Sequence, residues 1–337
     1  MVLCLNKKIL NVIEEYIPPN IKKLCLVDYF NGIERDYIEF NSSKIINIKN
    51  IYLSQLLIKK SSNFSNLTSL SLYNVYIEEL TDEHKLQLSN IKNLKIYASL
   101  ILNDLTFLKN NEILEFDNIN LTQELIISLS NNKKLSKLTI KTNFDNSLLD
   151  LSVFKNSKLE YLIIKSYERY ILNLNGLERI KYMDLSGLRI SNIHHMMYNK
   201  ILNISDCNIK QHMLPRLLNV EKLDISKNTK INDATIFSSK ECKVKILDLS
   251  YNYNIMTIDN LINLEELYAI GCNPNISIIN NLSKLNNIKL YIKNCYCNKC
   301  ILEYKLPMQK FIKKQNQTQK QKTINCLYKY KFNWFEI

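Results

Sequence analysis

The segments Leu223–Asn228, with the sequence LDISKN, and Leu247–Asn252, with the sequence LDLSYN, repeat one pattern 24 residues apart. In each segment two apolar side chains alternate with polar ones, and an asparagine closes the segment. Alternation with a period of two is typical of a short strand that buries one face. The pattern therefore predicts a strand followed by a turn.

The same frame recurs at intervals of 19 to 24 residues, which is typical of stacked units that cannot bury their apolar faces alone. Clear units start at Leu67, Ile91, Asn111, Leu135, Leu159, Ile180, Asn199, Val220, Val244, Leu264 and Leu285. Two weaker starts precede them, at Ser43 and Ile21. Because stacked strands lie about 4.8 Å apart, these units predict a parallel sheet on the order of 50 Å long.

The ninth place of a unit often holds an asparagine or a cysteine. These residues are Asn143, Cys207, Asn228, Asn252 and Cys272. An asparagine where the strand turns inward pairs with otherwise unsatisfied backbone groups, and a thiol does so weakly, so we predict a structural ladder. A catalytic thiol is the alternative at Cys207 or Cys272, but neither has a sequence cue for a base or an oxyanion partner.

In this frame and in its ninth-place asparagines the chain resembles the leucine-rich-repeat family over residues 43–295. The resemblance is interrupted where the ninth place holds Val75, Ile119, Tyr167, Leu188 or Lys293. It implies an α/β repeat fold, a solenoid with a curved parallel sheet on its concave side, where such proteins bind partners. The candidate partner-binding residues are Tyr161, Lys165, Tyr182, Asp184, Asn203, Lys222, Asp224, Asp248, Tyr251, Glu266 and Tyr268.

Tyr161 and Tyr182 are the sharpest of these candidates because they occupy the same place in adjacent units. Tyrosine provides a large contact area with a polar tip and is enriched at interface hot spots. The alternative interpretation is that tyrosine is simply common in this chain, which has 20 of them, and that the aspartates belong to the repeat consensus.

The first residues, 1–42, contain a second pattern. Leu5, Ile9, Ile13 and Ile17 share one face of a predicted helix, which Pro18 ends. Together with Leu24, Val27 and Phe30 this order resembles a degenerate F-box, in which Asn6 and Phe30 replace the usual proline and tryptophan. The resemblance implies docking on the adaptor of a cullin-type ubiquitin ligase, with the repeats holding the substrate. The alternatives are an amphipathic cap on the solenoid and one FNIP-type repeat.

Residues 296–337 form a predicted basic cap and tail. From Glu303 onward eight lysines face two glutamates, which accounts for +6 of the net charge of +13. The Lys310–Lys322 stretch has no nucleic-acid motif beside it, so nucleic-acid binding is only a minor alternative. Four thiols, Cys295, Cys297, Cys300 and Cys326, match the number that a structural zinc needs, but the paired CxxC spacing is missing, so we predict no metal.

No feature of the sequence indicates catalysis. The histidines His84, His194, His195 and His212 lie in no known catalytic motif, and 4 glycines argue against phosphate-cradling loops. With no apolar stretch of membrane-spanning length, we expect a cytoplasmic location, with a nuclear one left open. The composition resembles that of repeat families of large DNA viruses and amoebae. The predicted function is protein binding without a cofactor, either as a ubiquitin-ligase substrate receptor or as a stand-alone scaffold.

Overall fold

The computed structural model describes residues 2–6, 21–27, 37–40, 48–98, 105–119, 122–142, 149–166, 171–190, 193, 196–255, 261, 263–272 and 289–291. The chain divides into two compact units, Met1–Tyr291 and Ile292–Ile337, and every described residue belongs to the first. The fold of this first unit is set by short strands, one or two for each sequence unit.

The described strands are β1 Val2–Asn6, β2 Lys23–Val27, β3 Tyr37–Ile38, β4 Asn50–Ser54, β5 Leu57–Ile58, β6 Ser69–Tyr73, β7 Tyr76–Ile77, β8 Asn93–Tyr97, β9 Ile113–Asp117, β10 Lys137–Thr142, β11 Leu149–Asp150, β12 Tyr161–Ser166, β13 Ile171–Asn173, β14 Tyr182–Asp184, β15 Arg189–Ile190, β16 Ile201–Asn203, β17 Lys222–Asp224, β18 Ile246–Asp248, β19 Glu266–Tyr268 and β20 Lys289–Tyr291. Fourteen of them form one parallel sheet in the order β1-β2-β4-β6-β8-β9-β10-β12-β14-β16-β17-β18-β19-β20, so each strand pairs with those of the adjacent units. Two small sheets, β3-β5-β7 and β11-β13-β15, pair residues that follow the main strands. The predicted solenoid of parallel strands is confirmed.

In the described part of the chain, two α-helices and several 3₁₀ turns lie between main-sheet strands. The helices are α1 Asp82–Asn90 and α2 Gln123–Ser130. Each begins after a threonine whose hydroxyl accepts a backbone N–H, Thr81 from His84 and Thr122 from Leu125, both at 3.2 Å, which is favourable N-capping. The described 3₁₀ helices are Ser152–Asn156, Met196–Tyr198, Gln211–Leu217 and Thr235–Ser238.

The core lies on the inner face of the sheet, where the alternating apolar residues of neighbouring strands meet in register. Leu70 pairs with Leu94, and Leu223 with Leu247, and all four are fully buried. This strand register corrects the predicted start of two repeat units. Leu290 pairs with Leu267, which shifts the last start from Leu285 to position 287. Ile51 pairs with Leu24, so the early unit starts at position 48 rather than at Ser43.

The prediction of a helix from Leu5 is wrong at its first residues, because Val2–Asn6 is a strand. It pairs in parallel register with β2, which contains Leu24 and Val27, and β2 pairs in turn with β4. This pairing satisfies backbone groups along five residues at once. The described sheet therefore includes Val2–Asn6, well before the boundary predicted at residue 43. The other F-box-like residues, Ile9, Ile13, Ile17, Pro18 and Phe30, lie outside the described residues.

In nine of the described units a left-handed residue follows the main-sheet strand. These residues are Gln55, Asn74, Ala98, Asn118, Gly187, Asp206, Lys227, Tyr251 and Gly271. Each is the eighth residue of its unit, and only two are glycines. In most of them the backbone N–H donates to a carbonyl of the next unit, as from Ala98 to Asp117 at 2.8 Å and from Lys227 to Ser250 at 2.8 Å. Hydrogen bonds between units therefore hold a conformation that side chains normally disfavour.

Candidate protein-binding surface

The outer face of the 14-stranded sheet, opposite the core, carries a pair of stacked aromatic rings at its middle. Tyr161 on β12 and Tyr182 on β14 are in register, with ring centroids 4.2 Å apart and ring planes 2° from parallel. The ammonium of Lys137, from the preceding strand, lies 5.9 Å from the Tyr161 ring centroid, which is a cation–π distance. Burial and the neighbouring Tyr182 raise the pKa of Tyr161. The Tyr161 phenol therefore stays neutral at physiological pH, and the two stacked rings form one flat contact surface.

Isoleucines extend this aromatic pair along the sheet. Ile163 lies on the outer face of the Tyr161 strand, whereas Ile201, which follows Tyr182 in the same row, is covered and only 1% exposed. Ile113 and Ile246 continue the row of Tyr161 and Tyr182 on either side, separated from it by lysines. The sequence prediction missed these isoleucines because an isoleucine between buried leucines looks like a core residue. The partly exposed residues give the middle of the face an apolar strip, defined here as Ile113, Tyr161, Ile163, Tyr182 and Ile246.

An acidic row runs beside the apolar strip. Asp184, Asn203, Asp224 and Asp248 are register neighbours on four adjacent strands. Each side-chain oxygen accepts the backbone N–H two residues later, at distances from 2.8 to 3.1 Å. The structural role of these side chains in the repeat is therefore to hold the turn after each strand. Only Asp184 has an ion-pair partner among the described contacts of the row, the Lys165 ammonium at 2.9 Å.

Two carboxyls of this row are held in conditions that favour their neutral form. Burial and the nearby Asp248 carboxylate raise the pKa of Asp224 from 3.8 to about 7, against the opposing hydrogen bonds from Ser226. Burial likewise raises the pKa of Asp248, while hydrogen bonds from Ser250 and the charge of Lys227 lower it. Part of the row is therefore protonated near neutral pH, and its negative charge increases as the pH rises.

The structure divides the candidate partner-binding residues into accessible and buried ones. Asp184, Asn203, Asp224 and Tyr268 are each less than 9% exposed, because their polar atoms are used in turns or, for Tyr268, in a 2.8 Å hydrogen bond to Glu266. Tyr251 is 41% exposed but lies in the left-handed turn after β18, not in the strand. The accessible candidates on the outer face are Tyr161, Lys165, Tyr182, Lys222, Asp248 and Glu266.

A second aromatic contact, missed by the sequence analysis, lies nearer the N-terminus. The rings of Tyr73 and Tyr97 are 6.0 Å apart on adjacent strands, and Tyr73 is 43% exposed. Beside them Glu115 joins two lysines, Lys95 at 2.8 Å and Lys141 at 3.5 Å. Burial and the Glu115 carboxylate raise the pKa of Tyr97. This end of the face is more strongly ion-paired than the middle, so less of its polar surface is free to bind.

The ninth-place residues form hydrogen bonds from unit to unit. Each donates to the carbonyl at the equivalent place of the preceding unit, at 3.0 Å: Cys207 to Leu185, Asn228 to Ile204, Asn252 to Ile225 and Cys272 to Leu249. Asn228 also accepts from the N–H groups of Cys207 and Ile209. Asn143 lies outside the described residues. Counting from the β20 register, the next ninth place is residue 295, a cysteine by sequence.

The ladder thiols are poorly suited to catalysis. Burial raises the pKa of Cys207 strongly and that of Cys272 to about 11, so both stay protonated at neutral pH. The thiolate, not the thiol, is the nucleophile. Within the described ranges no group of three or more His, Cys, Asp or Glu side chains is placed to hold a metal ion.

A second series consists of asparagines that the sequence analysis placed only as unit starts, without a role for their side chains. Asn111 and Asn199 occupy the first, usually apolar, place of their units, and both are fully buried. The Asn111 amide donates to the carbonyls of Leu88 and Ile91, and the Asn199 amide donates to that of Ile180. An asparagine in an apolar column is the sequence signal that could have revealed them. Their role is to join the units on the side where the chain enters the strand.

Comparison with known proteins identifies the fold. No family model and no curated protein sequence matches the chain. Among solved structures it is similar to TLR13 in the TLR13-ssRNA13 complex, with a TM-score of 0.56 and 17% identity over 87% of this chain and 46% of that one, so it spans less than half of the TLR13 chain. It is also similar to the internalin InlF of Listeria monocytogenes, with a TM-score of 0.51 and 20% identity over 75% of this chain and 84% of that one. A third similar structure is mouse RP105 in its complex with MD-1, with a TM-score of 0.50 and 17% identity over 80% of this chain and 54% of that one. The fold is that of a leucine-rich-repeat solenoid.

Proposed function

We propose that this leucine-rich-repeat solenoid binds a protein partner on the outer face of its main sheet, centred on Tyr161 and Tyr182. The stacked pair at 4.2 Å carries the proposal. Two rings already in contact lose little side-chain entropy on binding, and the apolar strip around them adds surface that water solvates poorly. Lys165 and Glu266 provide charges at the edges, which is the apolar centre and polar rim typical of protein interfaces.

A protein partner fits this face better than a nucleic acid does. The ssRNA in the TLR13 structure and the MD-1 in the RP105 structure are ligands of those proteins. Here three aspartates, Asp184, Asp224 and Asp248, lie in one row beside the apolar strip. Asp248, the accessible one of the three, repels a phosphate backbone when it is ionised. The role proposed is binding rather than catalysis, since the described thiols of the ladder are held protonated.

The test is affinity capture with the full chain and two double variants. Tyr161→Ala with Tyr182→Ala removes the stacked pair, and we expect it to reduce recovery of the natural partner from the native cell about tenfold or more. The matched control is Tyr198→Ala with Tyr253→Ala, because these tyrosines are 66% and 59% exposed and lie outside the main-sheet strands. The control is expected to capture as much partner as the unmodified chain.

Equal recovery by both double variants, with equal thermal stability, would contradict the proposal. Loss of recovery only in a Tyr73→Ala, Tyr97→Ala variant would also contradict it, by moving the binding site to the N-terminal end of the sheet. Thermal unfolding of each variant must accompany the capture, so that a loss of fold is distinguished from a loss of contact.

A narrower form of the proposal is that the solenoid delivers its partner to a cullin-type ubiquitin ligase. The F-box-like order of residues 1–42 supports it, but Val2–Asn6 and Lys23–Val27 are strands of the sheet, so fewer residues are left for a separate docking module. The test is binding of the full chain to the ligase adaptor, because a fragment of residues 1–42 would lack the neighbours of both strands. Absence of binding leaves a stand-alone scaffold.

The cytoplasmic location predicted from the sequence is also part of the proposal. None of the described helices is long and apolar enough to cross a bilayer. Fluorescence of the tagged chain in the native cell, together with fractionation, tests the compartment directly. Recovery in the secreted fraction would contradict it.

A further inference from the structure

Two cysteines face each other at the N-terminal edge of the main sheet. Cys4 on β1 and Cys25 on β2 are register partners in parallel strands. Both belong to the outer-face row that continues through Tyr52 on β4. Cys4 is exposed and Cys25 is partly exposed, and the two thiols are within hydrogen-bonding reach of each other. The sequence alone does not pair them, because 21 residues separate them without any framework spacing.

The backbone places these thiols at a separation that a disulfide can bridge. Neighbouring strands lie about 4.8 Å apart, and disulfide-linked residues have Cα atoms about 4.4 to 6.8 Å apart. Among the described strands β1 pairs only with β2, so it is an edge strand. A small shift of this strand toward the ideal bond geometry disturbs one neighbour, whereas the same shift in the middle of the sheet would disturb two.

The other described cysteines differ from this pair. Cys207, Cys242 and Cys272 are buried, and Cys207 and Cys272 donate to ladder carbonyls. They lie on different units, and none has a thiol as its register neighbour. Proximity and solvent access therefore single out Cys4 and Cys25.

We propose that Cys4 and Cys25 form an oxidisable dithiol, a modification site whose co-reactant is a small disulfide such as oxidised glutathione. The site does not depend on the proposed binding face, since six strands lie between β1 and the Tyr161 strand.

The reaction consists of two thiol–disulfide exchanges. The Cys4 thiolate attacks one sulfur of oxidised glutathione, forming a mixed disulfide and expelling one glutathione thiolate, which takes up a proton. The Cys25 thiolate then attacks the Cys4 sulfur and expels the second glutathione. The pair loses two electrons and two protons in total, and one oxidised glutathione becomes two reduced molecules.

The order of attack follows from the surroundings of the two sulfurs. Burial, and then the hydrogen bond and charge of Cys4, raise the pKa of Cys25 to about 11. Cys25 is therefore the slower attacking group, while Cys4 is exposed to the oxidant. Once Cys4 is in the mixed disulfide, it has no free thiol to raise the pKa of Cys25. The Cys25 thiolate then attacks the neighbouring Cys4 sulfur.

The experiment exposes the full chain to defined ratios of oxidised and reduced glutathione, then traps free thiols by alkylation and maps peptides by mass spectrometry. We expect a peptide pair linked through Cys4 and Cys25. Its equilibrium constant should exceed that of the same pair in the denatured chain by about tenfold or more, because the fold holds the thiols together. Cys242→Ser is the matched control and leaves this result unchanged.

Two single variants separate the steps. Cys25→Ser is expected to retain one glutathione on Cys4, and Cys4→Ser is expected to leave Cys25 largely unmodified over the same time. Three results would overturn the proposal: both thiols alkylated under oxidising conditions, Cys4 linked to a cysteine other than Cys25, or no preference for the folded chain over the denatured one. The mapping of the unmodified chain decides the question even if a variant fails to fold.

Discussion

Replacement of Asp224 by asparagine is expected to stabilise the solenoid, and to do so more at pH 8 than at pH 4.5. Asp224 is 6% exposed, and its carboxyl accepts the Ser226 N–H at 2.9 Å. Its register neighbour Asn203 makes the same contact with Ser205 at 3.1 Å. An asparagine side chain therefore already fits this row, and the substitution removes a charge without removing the turn.

The magnitude follows from the pKa of Asp224, which is raised from 3.8 to about 7 in the folded chain. The folded state binds this proton more tightly than the unfolded state, so the stability of the unmodified protein falls as the pH rises from about 4 through about 7. At about 1.36 kcal/mol per pH unit, the loss approaches roughly 4 kcal/mol at pH 8. Burying the new amide costs about 1 kcal/mol or more. We expect a net gain of about 2 to 3 kcal/mol at pH 8 and little change at pH 4.5.

The assay is urea unfolding of both proteins at intervals from pH 4.5 to pH 8. Asn203→Asp is the matched control, because it places a new carboxylate between Asp184 and Asp224 in the same row. We expect it to destabilise the chain, and increasingly so at higher pH. A difference between Asp224→Asn and the unmodified chain that does not change with pH would refute the reasoning. So would a loss of stability at pH 8.

Three further predictions concern contacts between units. Asn228→Ala removes hydrogen bonds to three carbonyls and from two N–H groups, so we expect the free energy of unfolding in urea to fall by about 3 kcal/mol. Cys272→Ala removes one thiol hydrogen bond to Leu249, and an equal or larger loss in that variant would contradict the ladder. Ala98→Gly relieves the backbone strain of a residue at φ 48°. We expect the free energy of unfolding to rise by about 0.5 kcal/mol, since the left-handed strain exceeds the extra conformational entropy that a glycine loses on folding. Destabilisation would argue against strain at this position. Lys165→Met leaves Asp184, 2% exposed, without its charge partner, so we expect a loss of about 1 to 3 kcal/mol in urea unfolding at pH 7. Unchanged stability would contradict a stabilising role of the ion pair.

The sequence determined the repeat and the stacked parallel strands, because alternation such as Leu223 and Ile225 within Leu223–Asn228 encodes directly which side chains are buried. It also identified the ladder residues, because an asparagine amide, and more weakly a cysteine thiol, can pair with the backbone groups that an inward turn leaves without a partner. These features depend on side-chain chemistry within one unit. They can therefore be inferred wherever that unit is complete.

Only the tertiary structure showed that the first residues of the sequence join the sheet, and only it decided the register of the units. Val2–Asn6 became a strand through pairing with β2, and Leu290 moved the last unit by pairing with Leu267. Backbone hydrogen bonds between neighbouring strands decide which segments pair and in which register, and the pattern of side chains does not encode these bonds.

The same reason applies to the candidate site. The sequence placed Tyr161 and Tyr182 at equivalent positions, but the ring stacking required the register of β12 and β14. Equivalent positions in the aspartate row turned out to be mostly buried in turns, and the left-handed residues were mostly not glycines. Exposure and backbone conformation depend on the next unit along the stack, whereas the sequence pattern describes one unit at a time.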